Sequence, residues 1–200
     1  MERQEGITLR STPYDDKRVI LTVFTESSSI ISLMINVSHK KRTAALSLFC
    51  LSEFVYEKKR GEIFSCLEVS VLNEHLFLRK KLEYLQSAGI MARAILSSQL
   101  PHKRSADIYL LFKRYLAKMA EFQDPFIVSS SFLLKILLYE GLFNPEHTQN
   151  EAHTSNFTEK DKEKLFSLAL VKSFSELKNI ELTPDLSKKV NIFFNNAIEL

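Results

Sequence analysis

The residues in this chain best able to do chemistry are cations gathered in clusters. Lys17 and Arg18 form the first, His39, Lys40, Lys41 and Arg42 the second, and Lys58, Lys59 and Arg60 the third. Each cluster falls in a break between short runs of alternating or β-branched apolar residues, and Arg10 lies on the first such run. Cations on the loops of a small β-structure gain affinity for a phosphate backbone by releasing its condensed counterions, whatever the base sequence. Tyr14, Phe24 and Tyr56 lie near these clusters. Phe24 reads as core, whereas Tyr14, set in a turn, is the candidate for stacking on a base.

Other chemistries find less support. Four glycines in all leave no loop able to cradle a nucleotide phosphate, which argues against ATP hydrolysis. Asp15 and Asp16, taken with Glu53, suggest a metal-dependent nuclease, but two adjacent carboxylates in a turn cannot clamp two metals alone, and turn formation explains them better. Cys50 and Cys66 are too few for a disulfide framework and wrongly spaced for a zinc ribbon, so both read as reduced, half-buried strand residues. No cofactor is expected.

The 200 residues are 45% hydrophobic, enough to bury one large core or two small ones. The net charge of +3 is unevenly spread. Residues 79–118 hold nine basic residues against two acidic, net +7, and residues 119–200 hold eight against twelve, net −4. Residues 1–78 balance ten against ten, so there the clustering matters rather than the excess. No apolar run reaches the roughly 18 residues of a membrane span, and Met1-Glu2-Arg3-Gln4-Glu5 lacks a signal-peptide layout, so a cytoplasmic protein is expected.

The elements that must position these residues follow from periodicity. Five strands are expected at Gly6–Ser11, Lys17–Thr25, Ile30–Val37, Leu48–Tyr56 and Ile63–Val71, with a turn through Thr12–Asp16 and Gly61 in the last turn. Five short strands with tight turns suit a closed barrel, which removes exposed edges. From Asn73 the apolar spacing becomes three and four. Helices are expected through Leu78–Ala94, from Ser105 through Met119, from Phe126 to Tyr139 behind Pro125 with Gly141 ending it, from Thr158 to Leu177, and from Thr183 through Phe194. The Phe126–Tyr139 segment is apolar on nearly every side and should be central. Polar residues 144–157 read as a mobile loop.

The run Glu5-Gly6-Ile7-Thr8-Leu9-Arg10, then Tyr14-Asp15-Asp16-Lys17-Arg18-Val19-Ile20, then Val23-Phe24-Thr25, resembles the opening of the RecO family of bacterial DNA repair and recombination mediators. The basic loop falls where that family has a Lys-, Gly- and Arg-rich segment, Leu46–Glu53 resembles its next strand, and Phe132–Pro145 resembles a helix ending in a glycine, aromatic and proline turn. The fold class this implies is α+β: an N-terminal five-stranded OB-fold barrel (residues 1–72) followed by an all-α helical domain (residues 73–200).

The resemblance also implies a mediator rather than an enzyme. Such proteins bind single- and double-stranded DNA and anneal complementary strands. They engage single-stranded DNA-binding protein and, with a RecR-type partner, help load a RecA-type recombinase. On that reading DNA is held by Arg10, Lys17, Arg18, His39, Lys40, Lys41 and Arg42, with Lys58, Lys59 and Arg60 next, and Arg79-Lys80-Lys81 a secondary set. Departures are visible. The family's four-cysteine zinc module is replaced by the cysteine-free 144–156 segment, where His147 and His153 cannot complete a tetrahedral site. An arginine that meets the acidic tail of single-stranded DNA-binding protein is replaced by Ser130 and Ser131, leaving Lys135 as the substitute, with Phe132 and Ile136 beside it as partner-peptide contacts. The competing expectation is an interaction adaptor, with a helical peptide groove and little DNA binding.

Overall fold

The computed structural model of the chain describes residues 1–27, 29–36, 46–58, 61–144 and 157–199. Strands β1 (Glu2–Asp15), β2 (Arg18–Thr25), β3 (Ser29–Asn36), β4 (Leu51–Glu57) and β5 (Ile63–Asn73) close into a barrel in the order β1-β2-β3-β5-β4. Every pair is antiparallel except β3–β5, joined in parallel through Ser32–Met34 and Ile63–Ser65. This is the order of an OB-fold. Alternate residues of each strand point inward, and Leu21, Val23, Ile31, Leu33, Ile35, Phe54, Tyr56, Phe64 and Cys66 fill the interior. Cys66 lies on β5 and Cys50 just before β4; both are thiols outside any disulfide and buried, not half-buried as the sequence suggested.

β1 is longer than Gly6–Ser11 and runs through Pro13 and Tyr14, which the sequence reading put in a turn. The reason lies in its pairing. Glu2–Ile7 pair with β4, but from Arg10 onward the ladder of β1 is with β2, so the missing N–H of Pro13 interrupts no second ladder among the described residues. The turn is reduced to Asp16 and Lys17, between the paired Asp15 and Arg18. Two register shifts break the alternation of β1, between Thr8 and Arg10 and between Pro13 and Asp15, leaving Leu9 and Tyr14 as extra residues.

The chain divides into two compact units, Met1–Phe77 with Gln99–Lys113, and Leu78–Ser98 with Arg114–Leu200. The sequence reading drew a single boundary after residue 72, whereas the segment 99–113 belongs with the barrel. Outward-facing Phe24 explains its place: the Tyr109 and Phe112 rings lie 5.6 and 6.3 Å from it. The Tyr109 hydroxyl and Lys113 Nζ both donate to Glu5 Oε1, at 2.7 and 2.6 Å. Pro101 bridges Ser29 and Ile30 at the start of β3, and the His102 ring lies 5.6 Å from that of Phe64, tilted by 47°.

The helices are α1 (Leu82–Ser98), α2 (Ala106–Lys118), α3 (Phe126–Tyr139), α4 (Glu159–Leu170), α5 (Phe174–Leu177) and α6 (Pro184–Ile198). As expected, α3 is central, packed against α1, α4 and α6. Gly141 ends it at φ +72°, with the Leu142 N–H donating to the Leu137 carbonyl at 2.8 Å and the Gly141 N–H to Leu138 at 3.1 Å. The single helix expected over Thr158–Leu177 is broken. Val171 leaves helical geometry at ψ 129°, and Ser173 caps a new turn by accepting the Glu176 N–H. The loop expected at 144–157 lies, apart from its end residues, outside the described residues. Among the described residues no helix is long and apolar enough to cross a membrane.

Candidate nucleic-acid interface

The barrel has an outer face as well as a core, and pairing fixes who stands on it, because directly opposed residues of neighbouring strands share a face. Ile7, Phe24 and Ile30 form one outward row, buried beneath the 99–113 segment. The next rows are Arg10–Thr22–Ser32, Thr12–Ile20–Met34 and Asp15–Arg18–Asn36, half-exposed or exposed throughout. The bulges of β1 produce this face. Thr8 points inward opposite Val23, and strict alternation would send Arg10 inward too; the extra residue Leu9 resets the phase and places Arg10 outside. The second bulge does the same for Asp15 and lifts Tyr14 out, 55% exposed.

The candidate cations differ in how much charge they present. Arg18 donates from Nε to Asp15 Oδ2 at 2.6 Å, with Nη2 2.6 Å from the same oxygen, and its Nη1 lies 3.7 Å from Met34 Sδ. The Lys17 backbone N–H donates to Asp15 Oδ1 at 2.9 Å. These contacts, Arg18 foremost, hold the Asp15 carboxyl below its usual range, and Asp15 in turn raises the Arg18 guanidinium. The guanidinium carbon sits 4.8 Å from the centre of the Tyr14 ring. Lys58 pairs with Glu2 at 2.8 Å and lies 5.9 Å over the Phe64 ring. Glu2, which also accepts from the Tyr56 hydroxyl at 2.9 Å, is held below its usual range by Lys58, against a smaller opposing effect of burial. Arg10 and Lys17 are exposed and have no carboxylate within ion-pair distance among the described residues. His39, Lys40, Lys41, Arg42, Lys59 and Arg60 lie outside the described residues.

The expected partner-peptide contacts on α3 need correction. Phe132 and Ile136 are fully buried and offer a peptide no surface. Lys135 is committed inside its own unit, donating from Nζ to the Ala169 and Val171 carbonyls at 3.0 and 2.8 Å, and burial lowers its pKa. It closes the C-terminus of α4, where unpaired carbonyls favour a cation. Ser130 and Ser131 are also buried. Ser131 Oγ donates to Leu168 at 2.7 Å and meets the Tyr115 hydroxyl at 3.0 Å, while Ser130 Oγ lies 3.3 Å from Ser187 Oγ. An arginine at either place would have to displace this packing. Burial, chiefly, pushes the Tyr115 hydroxyl up to about 12.

The residues suggested for a nuclease are not brought together. Glu53 opposes Glu5 near one end of β1 and Asp15 ends the other, about 30 Å along an extended strand. Asp15 is held by Arg18, and Arg3 lies 3.7 Å from Glu53. Among the described residues no group of three or more His, Cys, Asp or Glu could hold a metal ion.

Comparison with known proteins adds an independent line. Residues 1–75 match the family model described as Recombination protein O N terminal. The chain is 25% identical over 222 residues to the DNA repair protein RecO of Chlamydia trachomatis, spanning 96% of this chain and 90% of that protein. It is 25% identical over 221 residues to the protein of the same name from Chlamydia muridarum, spanning 96% and 94%. A shorter match, 29% over 136 residues, covers 66% of this chain and 53% of the Staphylococcus epidermidis DNA repair protein RecO.

Proposed function

We propose that the chain is a member of the RecO family, which its matches support, and that it is accordingly a DNA repair and recombination mediator rather than an enzyme. It binds single- and double-stranded DNA through the outer face of the barrel and its loops, and anneals complementary strands. With a RecR-type partner it helps load a RecA-type recombinase onto DNA coated by single-stranded DNA-binding protein.

The observation that carries this reading is the half-exposed face of β1, β2 and β3, where Arg10 and Lys17, without an ion-pair partner among the described residues, flank an exposed aromatic residue. Two cations beside apolar Ile20 and Met34 form a surface on which a backbone and its bases find partners together. The basic loop residues His39–Arg42 and Lys58–Arg60 extend the charge in sequence. The adaptor reading loses its support with the burial of Phe132 and Ile136. Contact with single-stranded DNA-binding protein belongs elsewhere than Lys135, whose ammonium is already bound.

The test is binding of a labelled single strand across a salt series, with annealing measured in the same samples. Wild type should show a steep slope of log affinity against log salt. The Arg10→Ala/Lys17→Ala variant should lose two phosphate contacts and about 1.4 of that slope. Absence of binding at low salt would overturn the DNA role.

A further inference from the structure

Building on the DNA-binding reading, we propose that Tyr14 and Arg18 form a stacking site for one unpaired nucleobase, with Asp15 as the positioning residue that holds Arg18 flat. The barrel face therefore takes single strands in preference to duplex. Tyr14 is the extra residue of the second bulge, and it is 55% exposed, so core packing does not account for it. Bulges re-aim side chains, and here the bulge aims an aromatic ring at solvent beside a guanidinium 4.8 Å from its centre.

How Arg18 is held decides what it can bind. A guanidinium donates its hydrogen bonds in its own plane. Nε and Nη2 are taken by Asp15 Oδ2, Nη1 points toward Met34 Sδ, and the Lys17 N–H fixes the other carboxylate oxygen. A phosphate approaching the Nε–Nη2 edge would have to displace Asp15, which leaves an anion only the outer N–H of Nη1 and of Nη2, and the pair is close to neutral, so it releases few counterions. Beside that edge stand the faces of the guanidinium and of the Tyr14 ring that are turned away from each other, flat surfaces of the kind on which bases stack. Ile20 and Met34 continue this surface, and Arg10, Thr12, Thr22 and Ser32 line its polar side. A base within a duplex already has both faces covered by its neighbours and cannot stack here without leaving the helix.

The 200-residue chain has no tryptophan, so Tyr14→Trp within it provides a single reporter. Its emission is followed while a dT oligomer, a duplex of equal length or inorganic polyphosphate is added, and binding is measured in parallel by anisotropy of the labelled DNA. The dT strand should quench the tryptophan by at least half, while duplex and polyphosphate leave it unchanged. Arg18→Lys keeps the charge but loses the plane, and should weaken dT binding about tenfold with an unaltered salt slope. Tyr14→Ala should do the same. Asp15→Asn should reduce quenching although it adds positive charge. Strand binding without quenching, wild-type affinity in Arg18→Lys, or tighter binding by Asp15→Asn would each overturn the stacking site while leaving the DNA-binding reading intact. Absence of any DNA binding at low salt would overturn both.

Discussion

Lys58 and Arg18 face carboxylates at hydrogen-bond distance, whereas Arg10 and Lys17 face none among the described residues, so formal charge overstates what the first two offer a polyanion. Lys58 differs from Arg18 in being a point charge that a phosphate can use once it is free. Replacing Glu2 with Gln should therefore release Lys58 and raise low-salt DNA affinity about two- to threefold, read by anisotropy, with a steeper salt slope. A second residue makes a pH prediction. His75 is buried at φ +45°, its Nδ1–H donating to the Phe49 carbonyl at 2.8 Å. Burial lowers its pKa, against a smaller opposing effect of that hydrogen bond. With the folded value below the unfolded one, the unfolded chain binds more protons near pH 6, and stability falls as pH drops from 7 toward 5.5. His75→Gln should flatten this part of the Tm profile. It should leave untouched the separate loss below about pH 4.5, where carboxylates held low become protonated: Glu2, held by Lys58, and Glu5, where burial pushes upward but the Lys113 and Tyr109 contacts together outweigh it.

At the scale of elements, the close approach of β1 to β2 depends on Gly6, where a Cβ would overlap the Val23 side chain and crowd that of Thr25. Gly6→Ala should cost about 1–3 kcal/mol in a denaturant melt. On α4, Thr158 accepts the Asp161 N–H at 3.2 Å and Asp161 accepts the Thr158 N–H at 3.1 Å, a reciprocal cap; Thr158→Ala should cost about 1 kcal/mol. Much of this level was legible in the sequence. Alternation marked all five strands, Pro125 and Gly141 bounded α3 within a residue, and Thr183-Pro184 opened α6. The two bulges of β1 were not, because a bulge is defined by the partner strand's register and no local composition announces it. Neither was the break after α4, where β-branched Val171 and the cap at Ser173 outweigh a helical pattern. The site was half legible. Residue types identified Tyr14 and the cations, but which cations are neutralised depends on contacts such as Glu2–Lys58, 56 positions apart.

At the scale of the whole molecule, the cation-rich stretch of residues 79–118 carries net +7, and Arg79 and Lys80 in it are exposed. They belong to the proposed secondary set of phosphate contacts, so their joint replacement, Arg79→Ala/Lys80→Ala, should remove about a further 1.4 from the single-strand salt slope without changing Tyr14→Trp quenching. The interleaved division of the chain makes a second prediction. A fragment of residues 1–77 would leave Ile7, Phe24 and Ile30 without the Tyr109 and Phe112 rings and Pro101 that adjoin them. It should bind a hydrophobic dye and lack near-ultraviolet circular dichroism. The same interleaving has a consequence in time. A ribosome must add residues 78–113, about 2–7 s of synthesis, before a nascent barrel whose strands are already complete can bury its outer apolar row. During that interval the newborn protein displays a sticky stripe that the finished one does not, and it is then that a chaperone has something to hold.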